Sequence, residues 1–234
     1  MNINEECDKM NAEEFEKTFW NYYLELEREY LEIERLIPFD ETNYDTFSYK
    51  YMDLLWAICS EIDVLFKEYM DIKGYIPDLD DNGEPIYNII QYEKFIESKI
   101  QNFKNQEINC YNHKFNKKKI GPYKNWGNDS PKWWWIYNKI KHDRDQIING
   151  KKAFKYANQI CLLNALGGLF QLNLYIYKEL KDESEDELKV PIFESILFKL
   201  ENWGDYYKYI INGKDTSRII DDLLEELINF RKND

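Results

Sequence analysis

The chain has 234 residues, 44% of them hydrophobic and 17% aromatic, which is ample material for a buried core. Nine Gly and six Pro exclude a linker-rich, collagenous or disordered chain. A net charge of −13 disfavours a general affinity for duplex DNA, which needs a broad positive surface.

Phe15, Phe19, Tyr22, Tyr23, Leu26, Tyr30, Ile33 and Ile37 recur at helical spacing and predict a helix over residues 12–36, ended by Pro38. Glu25, Glu27, Glu29, Glu32 and Glu34 fill its other positions. They read as a solvated face rather than a metal site, because no Glu-x-x-His partner follows. Phe47, Tyr51, Leu54, Leu55, Ile58, Ile62, Leu65, Phe66 and Tyr69 predict a second helix over 46–72, capped by Thr46 or Ser48. Glu61 stands beside that stripe, either at its margin or paired inside, and a paired Glu61 is a site candidate.

Asp78, Asp80, Asp81, Asn82 and Gly83 open like a calcium loop, but the twelfth position, where a bidentate Glu belongs, is Ile89. An ordinary turn is the better reading. A third helical piece is expected over 86–103. Residues 104–129 read as an irregular basic insertion within one domain spanning 1–234, with alternation around 108–115 that admits a small hairpin. Cys110 and His113 make half a zinc motif without its second half. Asp129 or Ser130 before Pro131 starts the next helix, expected to run to residue 148 and to end in a loop at Asn149-Gly150. A further helix is predicted over 153–180, with Gly167-Gly168 marking close approach of a neighbour. Its apolar run is interrupted by Asn164, Gln171 and Asn173, so a core helix is expected rather than a membrane span. One or two short elements are expected over 191–211. A last amphipathic helix from residue 216 carries Ile219, Ile220, Leu223, Leu224, Leu227 and Phe230, a face that packs internally or joins two subunits. Taken together, the pattern predicts an all-α up-and-down helical bundle. Scattered cysteines (Cys7, Cys59, Cys110 and Cys161) and an acidic start without an apolar run point to a cytoplasmic protein.

Charge is distributed unevenly. Residues 99–155 carry +10 and the remainder −23. Such a block either serves an anionic partner or neutralises the chain's own acidic helices. No glycine-rich phosphate loop is present, so no nucleotide cofactor is expected, and no metal set is indicated.

The segment 133–148 concentrates the chemistry. Trp133, Ile136, Tyr137 and Ile140 form a core-facing stripe, and Trp135, Asn138 and His142 a second one. Lys139, Lys141, Asp143 and Arg144 surround them. A His exchanges protons near neutral pH, Arg and Lys hold phosphate, and Asn orients a hydroxyl. The combination suits phosphate binding, or metal-free phosphodiester cleavage by 2′-hydroxyl attack.

The string YNKIKHDR at 137–144, together with CSEIDVLFK at 59–67, resembles the HEPN superfamily of bacterial and phage helical proteins. That resemblance implies a small helical bundle that dimerises. It also implies RNA as ligand and metal-independent ribonuclease activity of a defence or toxin–antitoxin type. The family signature is Arg, a polar residue, then His after four to six intervening positions. Asn138 and His142 match the second and third, and Tyr137 stands where the Arg belongs. The resemblance therefore implies His142 and Asn138 as catalytic residues, with Arg144 or Lys141 standing in for the missing Arg; the residues themselves add Lys141, Tyr137, Asp143 and Glu61 as candidates for binding substrate. The alternative is a non-catalytic bundle that binds a protein partner or regulates one.

Overall fold

Helical periodicity built on large aromatic side chains organises the molecule. The computed structural model describes residues 10–111, 117–182, 191, 194–200, 203, 210–211 and 214–215. The predicted first helix is a continuous helical segment with a π-helical turn in it: α1 (Ala12–Phe15), the π turn (Glu16–Trp20) and α2 (Asn21–Glu34). Asn11 and Glu14 form a reciprocal capping box at its start. Helix α3 (Tyr49–Ile72) is capped by Ser48, whose hydroxyl accepts from the Tyr51 amide at 3.0 Å. Asn88 caps α4 (Ile89–Lys99) in the same manner. Helix α5 (Lys132–Asp143) begins after Pro131, and α6 (Gln159–Asp182) begins after Asn158, whose carbonyl oxygen accepts from the Cys161 amide.

The all-helical expectation is overturned. Strands β1 (Ile108–Tyr111), β2 (Lys117–Ile120) and β5 (Phe198–Leu200) form an antiparallel sheet in the order β2-β1-β5. Strands β3 (Ile147–Ile148) and β4 (Lys151–Lys152) form a hairpin, as do β6 (Ile210–Ile211) and β7 (Lys214–Asp215). The fold is thus mixed, with helices and small antiparallel sheets. The physical reason is tertiary. Each strand is too short to register as a period-two run on its own, and β1 is completed by a strand roughly ninety positions further on. The alternation around 108–115 admits a small hairpin or an ordered loop; β1 pairs with β2, and β5 adds a third strand that the alternation does not indicate. Helix α5 ends at Asp143 instead of running to 148, because Ile147 and Ile148 pair with Lys152 and Lys151.

Helices α3 and α6 form the centre, with Phe66, Ile62, Leu65, Leu166, Leu169 and Phe170 fully enclosed or nearly so. The glycine pair in α6 sits where other chain segments press hardest. A Cβ on Gly167 would lie 2.7 Å from Ile120 Cδ1, and one on Gly168 would lie 3.2 Å from Trp133 Cζ2. Tyr123 donates its hydroxyl to the Gly168 carbonyl at 3.1 Å, and the Trp133 indole donates to the Pro122 carbonyl at 2.8 Å. The approach comes from the end of β2 and from α5. Helix α6 is long and apolar enough to cross a membrane, but 83% of its most apolar window is buried inside the fold. Its amides are used internally: Gln171 donates to the Phe103 carbonyl at 2.7 Å, and Asn173 to the Leu169 carbonyl at 3.0 Å.

Glu27, 2% exposed on α2, joins the helical core to the last strand of the sheet. It accepts hydrogen bonds from Tyr23 at 2.8 Å, from Ser195, and from the Ile196 and Leu197 amides at 3.1 and 3.0 Å. This glutamate, assigned to a solvated face from its spacing, lies under the segment that leads into β5. Asp80 takes the amides of Asn82 and Glu84, so residues 78–83 form a turn as expected. The amphipathic helix expected from residue 216, its proposed dimer face, and His113 lie outside the described residues.

Candidate functional site

The exposed end of α5 and the β3–β4 hairpin form one surface. The hairpin turns on Asn149 and Gly150, with φ of 48° and 77°, the pair of positive values that a type I′ turn needs. It folds back on the helix end: the Ala153 amide donates to the Gln146 carbonyl at 2.8 Å, and the Phe154 amide to the Arg144 carbonyl at 3.1 Å. Tyr156 fixes the hairpin by donating to the Ile148 carbonyl at 2.8 Å.

His142, Lys141, Asp143 and Arg144 are exposed at this end. Positive side chains there complement the negative pole of the helix. His142 has no hydrogen-bond or ion-pair partner among the described residues. Asn138 is half-buried, and its amide donates back to the Trp134 carbonyl of its own helix at 3.2 Å. Tyr137 is 8% exposed, with its ring against Trp134 and its hydroxyl 3.5 Å from Ser60. Lys141 stands over the Tyr137 ring and Lys139 over the Trp135 ring, each 5.6 Å from the centroid.

Glu61 lies on α3, half-buried, where burial pushes its carboxyl above the usual carboxylate range. Its charge, second to burial, raises the Tyr22 hydroxyl on α2. Among the described residues no hydrogen bond or ion pair joins it to α5. The structure thus brings His142, Lys141, Asp143 and Arg144 to one wet surface, turns Tyr137 into the core, engages Asn138 locally, and leaves Glu61 facing α2. No described group of three or more His, Cys, Asp or Glu could hold a metal. Cys59, Cys110 and Cys161 are free and buried, and burial pushes the Cys161 thiol up to about 12, far from nucleophilic range.

The basic block divides into two halves. Lys104 pairs with Glu93 and Glu97, Lys118 with Glu41, and Lys119 with Glu107. These three neutralise some of the chain's own acids, while Lys99, Lys124 and Lys132 of the same half have no acidic partner among the described residues. In the second half only Lys152 has an acidic partner among the described residues, Asp145 at 3.1 Å. Lys139, Lys141, Arg144, Lys151 and Lys155 have none there.

Beside these cations lies an aromatic cluster that sequence reading missed. Phe154 meets Phe47 edge-on at 5.2 Å and lies nearly parallel to Tyr49, with 15° between the planes and 6.1 Å between centroids. Tyr49 is 66% exposed. The loop that leads into it is stitched to the start of α6: Phe47 bridges Asn158, the Gln159 amide donates to the Thr46 carbonyl at 3.1 Å, and Asn158 donates to Asp45 at 3.0 Å. The available signal was the Asn149-Gly150 dipeptide, a hairpin turn flanked by Ile-Ile and Lys-Lys, which brings 154–155 back to the helix end.

No family model, no curated protein and no solved structure matches this chain.

Proposed function

We propose that the protein binds RNA through the cationic surface formed by the end of α5 and the β3–β4 hairpin, and that it binds without cutting. The observation carrying this reading is the division of the basic block. Arg144, Lys141, Lys151 and Lys155 have no acidic partner among the described residues and belong to one helix end and the hairpin folded back on it, while Lys104, Lys118 and Lys119 are tied to Glu93, Glu97, Glu41 and Glu107. Cations left without internal partners on an acidic protein suit a phosphate ligand. The likeness of YNKIKHDR to the HEPN signature favours RNA among phosphate ligands and a cytoplasmic setting. Binding is favoured over cleavage because Tyr137 is turned inward where the signature has Arg, and Asn138 spends its amide on Trp134.

Fluorescence anisotropy with a labelled RNA in EDTA tests the reading. Binding is expected to weaken linearly in log–log form with added salt, by a slope of about −0.7 per phosphate contacted on a single strand. Arg144→Glu with Lys155→Glu is expected to abolish it, and Lys119→Ala, at a cation already paired with Glu107, to leave it intact. Salt-insensitive binding, or equal loss in both variants, would overturn the assignment. One observation favours a second reading: His142 is exposed and has no hydrogen-bond or ion-pair partner among the described residues. If RNA is cut in EDTA and His142→Ala stops it, the ribonuclease reading replaces simple binding.

A further inference from the structure

We infer that Tyr49 is a stacking platform for one unpaired base, which makes the ligand single-stranded; this rests on the RNA-binding reading above. Three observations meet at this ring. It is the most exposed ring of its cluster, at 66%, yet it packs nearly parallel to Phe154, with centroids 6.1 Å apart, and edge-on to Phe47. A ring so supported presents a flat apolar face with little freedom left to lose on binding. The loop beneath it is pinned by the Phe47–Asn158 bridge and the Asp45–Asn158 hydrogen bond. Cations are carried on the chain segments that hold the cluster. Lys50 follows Tyr49 in the chain, Lys155 follows Phe154, and the Phe154 amide donates to the carbonyl of Arg144.

An aromatic face with flanking cations is what sequence-tolerant single-strand binding requires, because every base has a π face and every linkage a phosphate. The acids nearby limit the footprint. Asp53 lies one turn along α3 from Tyr49, and Asp143 and Asp145 flank Arg144. In a duplex each base face is already stacked within the helix and cannot lie on Tyr49, whereas an unpaired base can. The platform therefore selects unpaired RNA over duplex.

The test compares two probes on the intact chain: an unstructured adenine-rich RNA of about ten nucleotides, and inorganic polyphosphate, which offers charge without bases. Tyr49→Ala is expected to lose about tenfold in RNA affinity, within the range that removal of one stacked base gives, and nothing in polyphosphate affinity. Tyr49→Trp is expected to retain or improve RNA binding, and duplex RNA to bind no better than polyphosphate. If Tyr49→Ala binds RNA as the wild type does while both bind polyphosphate, the cationic surface stands and the stacking platform falls. If the wild type binds neither probe, the RNA-binding reading falls and the platform with it. Duplex bound as tightly as single strand also overturns the platform.

Discussion

Glu61 shows how a single side chain acquires its properties from position. It stands one residue after Ser60, which meets Tyr137 of α5, and one before Ile62, which is fully enclosed. That places its carboxyl on the shoulder between the core and α2, where burial holds it above the usual carboxylate range. A carboxyl whose folded pKa is raised costs nothing while protonated in both states. It destabilises the fold as pH rises through the folded value, because only the unfolded chain ionises freely. Glu61→Gln is thus expected to raise the melting temperature at pH 7 and to leave it unchanged near pH 3. Thermal unfolding at the two pH values reads the difference directly. His142 owes its exposure to the same logic: it lies two residues past Ile140, the last core-facing position of α5.

At the scale of elements, the β3–β4 hairpin is small and consequential. Its two central residues both hold positive φ, and Gly150 at 77° needs the freedom that only glycine has. Gly150→Val is expected to cost about 1–2 kcal/mol in denaturant unfolding and, on the proposed RNA-binding reading, to weaken that binding by misplacing Lys151 and Lys155. Helices were legible in the sequence because each repeats its apolar positions over several turns. The stripe Trp133, Ile136, Tyr137 and Ile140 is buried as its spacing requires, and Pro131 and Ser48 mark the starts of α5 and α3. The sheet was not legible as such. Residues 198–200 alternate as Phe-Lys-Leu, three residues that mean nothing until β1 is found opposite. For the candidate site, the cations of 139–155 could be read in order, but their pairing could not. Whether Lys104 or Lys155 has a carboxylate beside it depends on which helix the fold brings near. Tyr49 escaped notice because it lies outside the apolar stripe of α3, and its significance comes from Phe154, more than a hundred positions away.

Considering the whole molecule, acidic helices and a basic centre coexist in part because Lys104, Lys118, Lys119 and Lys152 of that centre are paired with the chain's own acids. What remains outward at the end of α5 and on the hairpin is a group of cations without acidic partners among the described residues, carried by a chain of net charge −13. The opposite flank is held by Glu27, which gathers Tyr23, Ser195 and the amides of 196 and 197. Glu27→Ala leaves several enclosed donors without an acceptor and is expected to cost about 3 kcal/mol or more. Chemical denaturation gives the figure. Hydrogen exchange at Phe198, Lys199 and Leu200 is expected to accelerate first, because the strand is released before the helices. The same wiring sets a timetable for biogenesis. Strand β1 waits with an open edge while the ribosome adds some ninety further residues, and only when Phe198–Leu200 has emerged can that edge close. A nascent chain paused before that point carries an exposed adhesive border, the state in which a chaperone is most needed.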